Sequence, residues 1–357
     1  MQSEVLTKAC LLATVAAFAN TVTAQWTVTI LTPPCATGGN ATTAGGGRQA
    51  GYSFVANASR ASVWTGSAES WINLHPLGAS NSEVFGIGGN QQVGAATVAG
   101  RDRASLWTGS ASSWIDLSPS WSTLAFAQAS NGSQQVGFAF GNGIGGASLW
   151  SGTAESWINL NPIGAASSWA YAIGGGQQTG YANVNGVTRA ALWSGSAASW
   201  VDLHPPGAEY SVAYATDGQQ QAGVASVNGI NRASLWSGTS ASWIDLSPSG
   251  SSDSYAYAIL DDHQVGYASI AGPNRAALWS GSAASWVDLH VFFPSEFLSS
   301  FASGISTDGA NIFISGGGFN TTTGRSEALL WSQPIPSPAT ATVAAMGVLI
   351  AIARRRS

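Results

Sequence analysis

Six tryptophans, Trp64, Trp107, Trp150, Trp193, Trp236 and Trp279, follow one another at intervals of 43 residues, and Trp331 continues the series near the end of the chain. A second series, Trp71, Trp114, Trp157, Trp200, Trp243 and Trp286, runs seven residues behind the first. A period of this size marks a repeat architecture, in which one unit cannot bury its apolar faces alone and must stack on its neighbours.

One unit, from Trp169 to Leu203, contains four strand-like pieces: 170–173, 178–182, 189–193 and 200–203. Gly174-Gly175-Gly176 joins the first two. Asn185-Gly186, the favoured pair of a tight hairpin turn, joins the next two. Ser194-Gly195-Ser196 is a third short connection, whereas His204-Pro205-Pro206-Gly207 makes a longer step to the next unit. Three hairpins and one crossing define a four-stranded antiparallel blade, the unit of a β-propeller. Counting the third-strand tryptophans gives seven blades. The first strands, such as Tyr255-Ala-Tyr-Ala-Ile259, alternate small and aromatic residues and suit the narrow axis of a ring.

The ends of the array complete this expectation. The last unit stops after Ala328-Leu-Leu-Trp331 without a fourth strand, and Trp26-Thr-Val-Thr-Ile-Leu31 precedes the first blade as a spare one. The all-β ring is therefore expected to close by lending its N-terminal strand to the last blade, leaving no open edge. Trp107 and Trp114 are expected to face one another across the third hairpin, with their counterparts in the other blades doing the same. A buried tryptophan removes ~200 Å² from water, worth up to about 5 kcal/mol, so both series read as core between blades.

Charged residues make up only 8% of the chain, against about 25% in ordinary domains. Between Gln25 and Pro336 eight arginines face sixteen acids. That balance excludes duplex nucleic acid as a partner, which requires a clustered basic surface. Residues 1–24 hold Lys8, an apolar run from Ala9 to Ala19 and a small-residue exit at Thr21-Val22-Thr23-Ala24, the pattern of a secretory signal cut before Gln25. After such a cut Cys35 is the sole cysteine, and stability must come from packing rather than disulfides. Residues 25–332 then form the propeller and 333–357 a tail: Pro334-Ile335-Pro336-Ser337-Pro338, an apolar stretch from Ala339 to Ala353, and Arg354-Arg355-Arg356. Fifteen helical residues reach roughly 22 Å, short of the ~30 Å hydrocarbon core. The arginines are expected to stay cytoplasmic.

This tail resembles the PEP-CTERM sorting signal of exported bacterial proteins, with Pro336-Ser337-Pro338 where that signal carries Pro-Glu-Pro. The resemblance implies an exosortase-type membrane enzyme as partner, a transient membrane anchor, and delivery to the cell surface or matrix. Gln264-Val265-Gly266-Tyr267, Arg275-Ala-Ala-Leu-Trp279 and Trp286-Val-Asp-Leu289 resemble the HAF-type extracellular repeat, with Arg where that repeat begins with His. That resemblance implies a surface-exposed repeat protein and transfers no catalytic residue.

Chemistry-bearing residues are few. Arg103, Arg189, Arg232 and Arg275 recur at one blade position, and Asp116, Asp202, Asp245 and Asp288 follow thirteen residues later. Such pairs are either a ring of charge for a polar ligand or a tie between outer strands; recurrence in most blades favours the tie. His75, His204 and His290 sit before turns in separate blades, and no Cys, His and Asp spacing marks a metal site. Asp261-Asp262-His263 lies in a hairpin turn. No nucleophile elbow appears. The sequence thus points to an exported, non-enzymatic interaction scaffold without cofactor, its partners being extracellular polysaccharide or surface proteins. A glycan-binding propeller is the alternative, for which Trp121 and Trp169, outside both repeated series, are the stacking candidates. A glycan-processing enzyme, weaker again, would need a unique pair of acids in one mouth of the ring.

Overall fold

A computed structural model of the protein describes residues 25–335. The signal-like segment, Pro336, Pro338, the apolar tail and Arg354, Arg355 and Arg356 lie outside the described residues. Seven antiparallel sheets of four strands form the array. Blades 1 to 6 span 39–73, 79–116, 124–159, 167–202, 210–245 and 251–288, and blade 7 spans 297–334 plus Thr27–Ile30. The first strands touch one another in succession, and Gly39–Gly45 of blade 1 meets Phe297–Thr307 of blade 7, so these inner strands close a circle around the axis.

Closure follows the expected pairing. Thr27–Ile30 runs antiparallel to the last strand, with Val28 opposite Trp331 and Ile30 opposite Leu329. The Leu31 N–H extends the ladder to the Ala328 carbonyl at 2.7 Å. Blade 7 therefore takes its outer strand from the opposite end of the chain. No blade among the described residues lacks its outer strand.

Blade 4 shows why these residues form these elements. Its strands are Ser167–Gly174, Gln177–Val184, Val187–Trp193 and Val201–Asp202. Asn185 and Gly186 both have positive φ (53° and 81°), the geometry of a tight hairpin turn that matches strand twist. Gly180 lies where any Cβ would collide with the Trp169 carbonyl oxygen, and Gly94, Gly137, Gly223 and Gly266 stand in the same place in other blades. Glycine at this point lets the second strand press against the first.

Trp64, Trp107, Trp150, Trp193, Trp236, Trp279 and Trp331 are fully buried between blades. Trp193 packs on Leu149 and Leu160 of the preceding blade, and Trp236 on Leu192 and Leu203. Trp64 packs on Leu330 and Leu31, so the same contact carries across the closure.

The fourth strands differ from expectation. In blades 1 to 6 each is only two residues long, and a 3-10 turn such as Ala197–Ser199 occupies the preceding connection. Local hydroxyls hold that turn: the Ser199 hydroxyl accepts from the Ser194 N–H at 2.8 Å and donates to the Ser196 carbonyl at 2.7 Å. The second tryptophan then terminates the turn instead of leading a strand. Trp114 reaches back with its indole N–H to the Ser105 hydroxyl at 2.9 Å, alongside the cluster that buries Trp107. Trp71, Trp157 and Trp243 do likewise to Ser62, Ser148 and Ser234. Trp200 and Trp286 have Ala191 and Ala277 in place of that serine, and their indole nitrogens are buried without a partner.

Candidate functional site: the axial channel

The repeated polar residues are occupied by the framework. Arg189 and Asp202 meet at 2.9 Å, Arg232 and Asp245 at 2.8 Å, Arg275 and Asp288 at 2.6 Å, and Arg103 and Asp116 at 3.6 Å. The second carboxylate oxygen of each accepts the backbone N–H two residues on, as Asp202 does from His204 at 2.9 Å. Asn73 and Asn159 make this same turn in blades 1 and 3, where no such Arg–acid bridge forms. One oxygen holds the turn in blades 1 to 6; the other carboxylate oxygen pairs with arginine in blades 2, 4, 5 and 6.

The histidines bridge blades. His204 Nδ1 accepts from the Ser211 hydroxyl at 2.8 Å, Nε2–H donates to the Ala208 carbonyl at 3.1 Å, and Ser211 in turn accepts from the Ala190 N–H of the preceding strand. His75 and His290 contact Ser82 and Ser300 in the same way, and Asn161 takes the role in blade 3. Burial holds all three histidines below their ordinary pKa, as the neutral, accepting ring requires. Among the described residues no group of three or more His, Cys, Asp or Glu converges to hold a metal. Asp261 turns the corner before His263 with φ 49°. Cys35 is free and exposed.

Trp121 and Trp169 are half-buried. Trp121 lies edge-on against Trp157, ring centroids 4.8 Å apart, at the margin of the core of blades 2 and 3. Trp169 stacks on Phe138 at 4.5 Å and 8°, with Phe126 and Tyr171 on either side at 5.7 and 5.9 Å. Trp169 belongs to a chain of rings that runs along the inner strands to the axis.

That axis contains a cavity of about 640 Å³, within the roughly 300–1,000 Å³ of small-molecule sites. Every inner strand carries a register shift, between Ala170 and Ala172 in blade 4 and at the equivalent point in each of the others. A bulge leaves one residue unpaired and re-aims its side chain. The seven residues at the shift are Thr42, Phe85, Gln128, Tyr171, Tyr214, Tyr257 and Ser303, and all seven line the channel. Tyr171, Tyr214 and Tyr257 form an arc over blades 4 to 6 with ring centroids 5.2 and 5.4 Å apart. Thr42 and Ser303 lie in blades 1 and 7, across the axis from blade 4.

The lining contains no Asp, Glu, Lys, Arg or His. Burial, aided by neighbouring phenols, raises the pKa of Tyr171 and Tyr214, and burial together with the charge of Asp253 pushes Tyr257 up to about 12, so the arc stays neutral at physiological pH. Among the described residues no hydrogen bond reaches the hydroxyls of Tyr171 and Tyr214. Tyr267, also on the channel, donates to Asp253 at 2.7 Å. A recess of about 170 Å³ shares Phe85 with the channel and holds Glu83 and Asp102. Burial and then the charge of Asp102 raise the Glu83 pKa, opposed by the Ser59 hydroxyl.

Sequence reasoning singled out the repeated residues and passed over the bulged row. The available signal was disagreement: at the Trp and Gly positions all seven units agree, whereas the bulge position holds Thr, Phe, Gln, Tyr and Ser in turn.

No protein-family model matches the chain, and no curated protein is significantly similar to it. Solved structures do match. The β-propeller domain of the trilobed protease from Pyrococcus furiosus is 11% identical, with a TM-score of 0.53, covering 85% of this chain and 97% of that one. An oligogalacturonate lyase in complex with manganese is 10% identical at TM-score 0.55, with 88% and 95% covered. An acylaminoacyl peptidase from Pyrococcus horikoshii is 9% identical at 0.51, with 84% of this chain and 52% of that one covered. What they share with this chain is the fold. The Pyrococcus furiosus propeller is described as an open velcro, whereas here Thr27–Ile30 closes the last blade.

Proposed function

We propose that this chain is an exported, non-enzymatic binding propeller of the cell surface or matrix, and that it holds its ligand in the axial channel. The observation that carries the channel reading is the bulged row. A repeat array copies its framework residues because every blade needs them. Here the inner-strand position that is turned out of the ladder in all seven blades holds five different residue types, and each of its seven residues lines the cavity. Framework demands do not explain that divergence; a shared ligand touched by different blades does.

Export and surface association rest on the apolar N-terminal segment with its Thr21-to-Ala24 exit and on the tail from Pro334 to Arg356. An exosortase-type enzyme acting on that tail belongs to the same reading, as does the HAF-type surface role. The absence of charged groups from the channel lining favours holding over chemistry, because general acid–base catalysis draws on residues that titrate near neutrality.

The test is a mixed array of oligosaccharides and peptides probed with the purified protein, repeated with Tyr214→Gln. Gln128 already occupies this position in blade 3, so the substitution places in blade 5 a residue the bulge accommodates. Binding that falls in Tyr214→Gln at unchanged melting temperature supports the channel as the site. Binding that is indifferent to Tyr214→Gln, Tyr171→Gln and Tyr257→Gln rejects it.

A further inference from the structure

The channel is amphipathic without being charged, and this restricts what can fill it. A charged ligand would leave water for a lining that offers no opposite charge, which costs several kcal/mol per ion. Anions meet a further obstacle. Glu83 and Asp102 occupy the adjoining recess and Asp253 stands behind Tyr267, while no Lys or Arg lines either cavity. A wholly apolar ligand would leave the Tyr171 and Tyr214 hydroxyls and the Gln128 amide without partners once water is expelled, the costly half of a lost hydrogen bond.

A ligand that satisfies both constraints has one face of C–H groups and a perimeter of neutral hydroxyls. The tyrosine arc offers ring faces to the first. Gln128, Thr43 and the two free phenol hydroxyls offer donors and acceptors to the second, while Thr42 and Ser303, whose hydroxyl protons go to the Val84 and Ala41 carbonyls, offer acceptors. Resting on the channel reading above, we infer that the ligand is an uncharged saccharide, a chain end of an extracellular glycan, seated with a sugar-ring face against Tyr171, Tyr214 and Tyr257.

The experiment compares neutral gluco- and manno-oligosaccharides with uronate-bearing oligosaccharides of equal length, and with peptides, by titration calorimetry on the purified protein. Tyr171→Gln, Tyr214→Gln and Tyr214→Phe are the variants, each checked by its melting curve. The expected result is binding of a neutral oligosaccharide with the uronate form at least tenfold weaker. Each Gln variant should lose roughly tenfold, and Tyr214→Phe, which keeps the ring and removes one hydroxyl, should lose less. Equal or tighter binding of the uronate form overturns the inference. Peptide binding that is sensitive to Tyr214→Gln, with no saccharide bound, overturns the ligand class and leaves the channel as the site. Saccharide binding that survives both Gln variants overturns the inference and the channel reading together.

Discussion

The hydroxyls of Thr27 and Ser332 meet at 2.8 Å although 305 positions separate them in the chain. They belong to the first pair of the four-residue ladder that joins the N-terminal strand to the last blade. Removing residues 25–32 would leave the final strand as an open edge and uncover Trp331, Leu330 and Trp64. We predict a broader, less cooperative unfolding transition and aggregation of the deletion variant, read by calorimetry and light scattering. A sharp transition at the native temperature would show that the ring does not depend on this strand.

The Arg–Asp pairs are expected to matter less than the turns beneath them. Arg189 and Asp202 are each about a third exposed, so Arg189→Ala should cost about 1 kcal/mol or less in a denaturation experiment. Asp202→Asn should cost a similar amount, because it keeps the oxygen that accepts from His204 N–H, as Asn159 does in blade 3. Asp202→Ala removes both contacts and should cost more, about 1–2 kcal/mol. Equal losses for the Asn and Ala variants would remove the turn from the account.

The inter-blade histidines make stability depend on pH. Burial lowers the His204 pKa from its ordinary 6.5, so the unfolded chain takes up the proton first as pH falls. The stabilising contribution is complete above pH 6.5 and is lost as pH drops from 6.5 towards the lower folded value. The melting temperature should therefore decline below pH 6.5. His204→Asn, which installs the Asn161 arrangement, should make that decline shallower. An identical pH profile for the variant would contradict the assignment.

Trp200 lacks the hydroxyl that Trp114 bonds, because Ala191 stands where blade 2 has Ser105. Ala191→Ser should supply the acceptor and raise stability by roughly 0.5–1.5 kcal/mol in chemical denaturation. Its own hydroxyl proton has a destination, since Ser105 donates to the Arg103 carbonyl at 2.9 Å. A loss of stability would mean that blade 4 packs too closely at this point to accept the oxygen.

The ring was legible because its causes are one-dimensional. The period of Trp64 to Trp279, the Asn-Gly turns and the missing fourth strand after Trp331 can be counted, and closure follows from matching a spare strand to a vacant edge. The Trp107–Trp114 relation was less so, because the turn at Ala111–Ser113 depends on a serine hydroxyl bonding across three residues, which alters where the second indole points. The channel was the least legible. A bulge is a property of register between two strands, and Tyr214 lies in an alternation, Tyr-Ser-Val-Ala-Tyr-Ala-Thr, that reads as ordinary strand. The copies disagree there, but they disagree as much two residues earlier, from Asn40 and Glu83 to Trp169 and Val212, so the disagreement alone does not mark the bulge.

The central claim is that the bulged inner strands, not the outer edges, meet the ligand. Hydrogen exchange with and without whichever array member the protein binds tests it most directly. The account predicts slower exchange in the inner strands Tyr210–Thr216 and Ser251–Leu260, with the edge strands Ile115–Asp116 and Ile244–Asp245 unchanged. Protection confined to the edge strands or the crossing loops, with the inner strands unaffected, would contradict it.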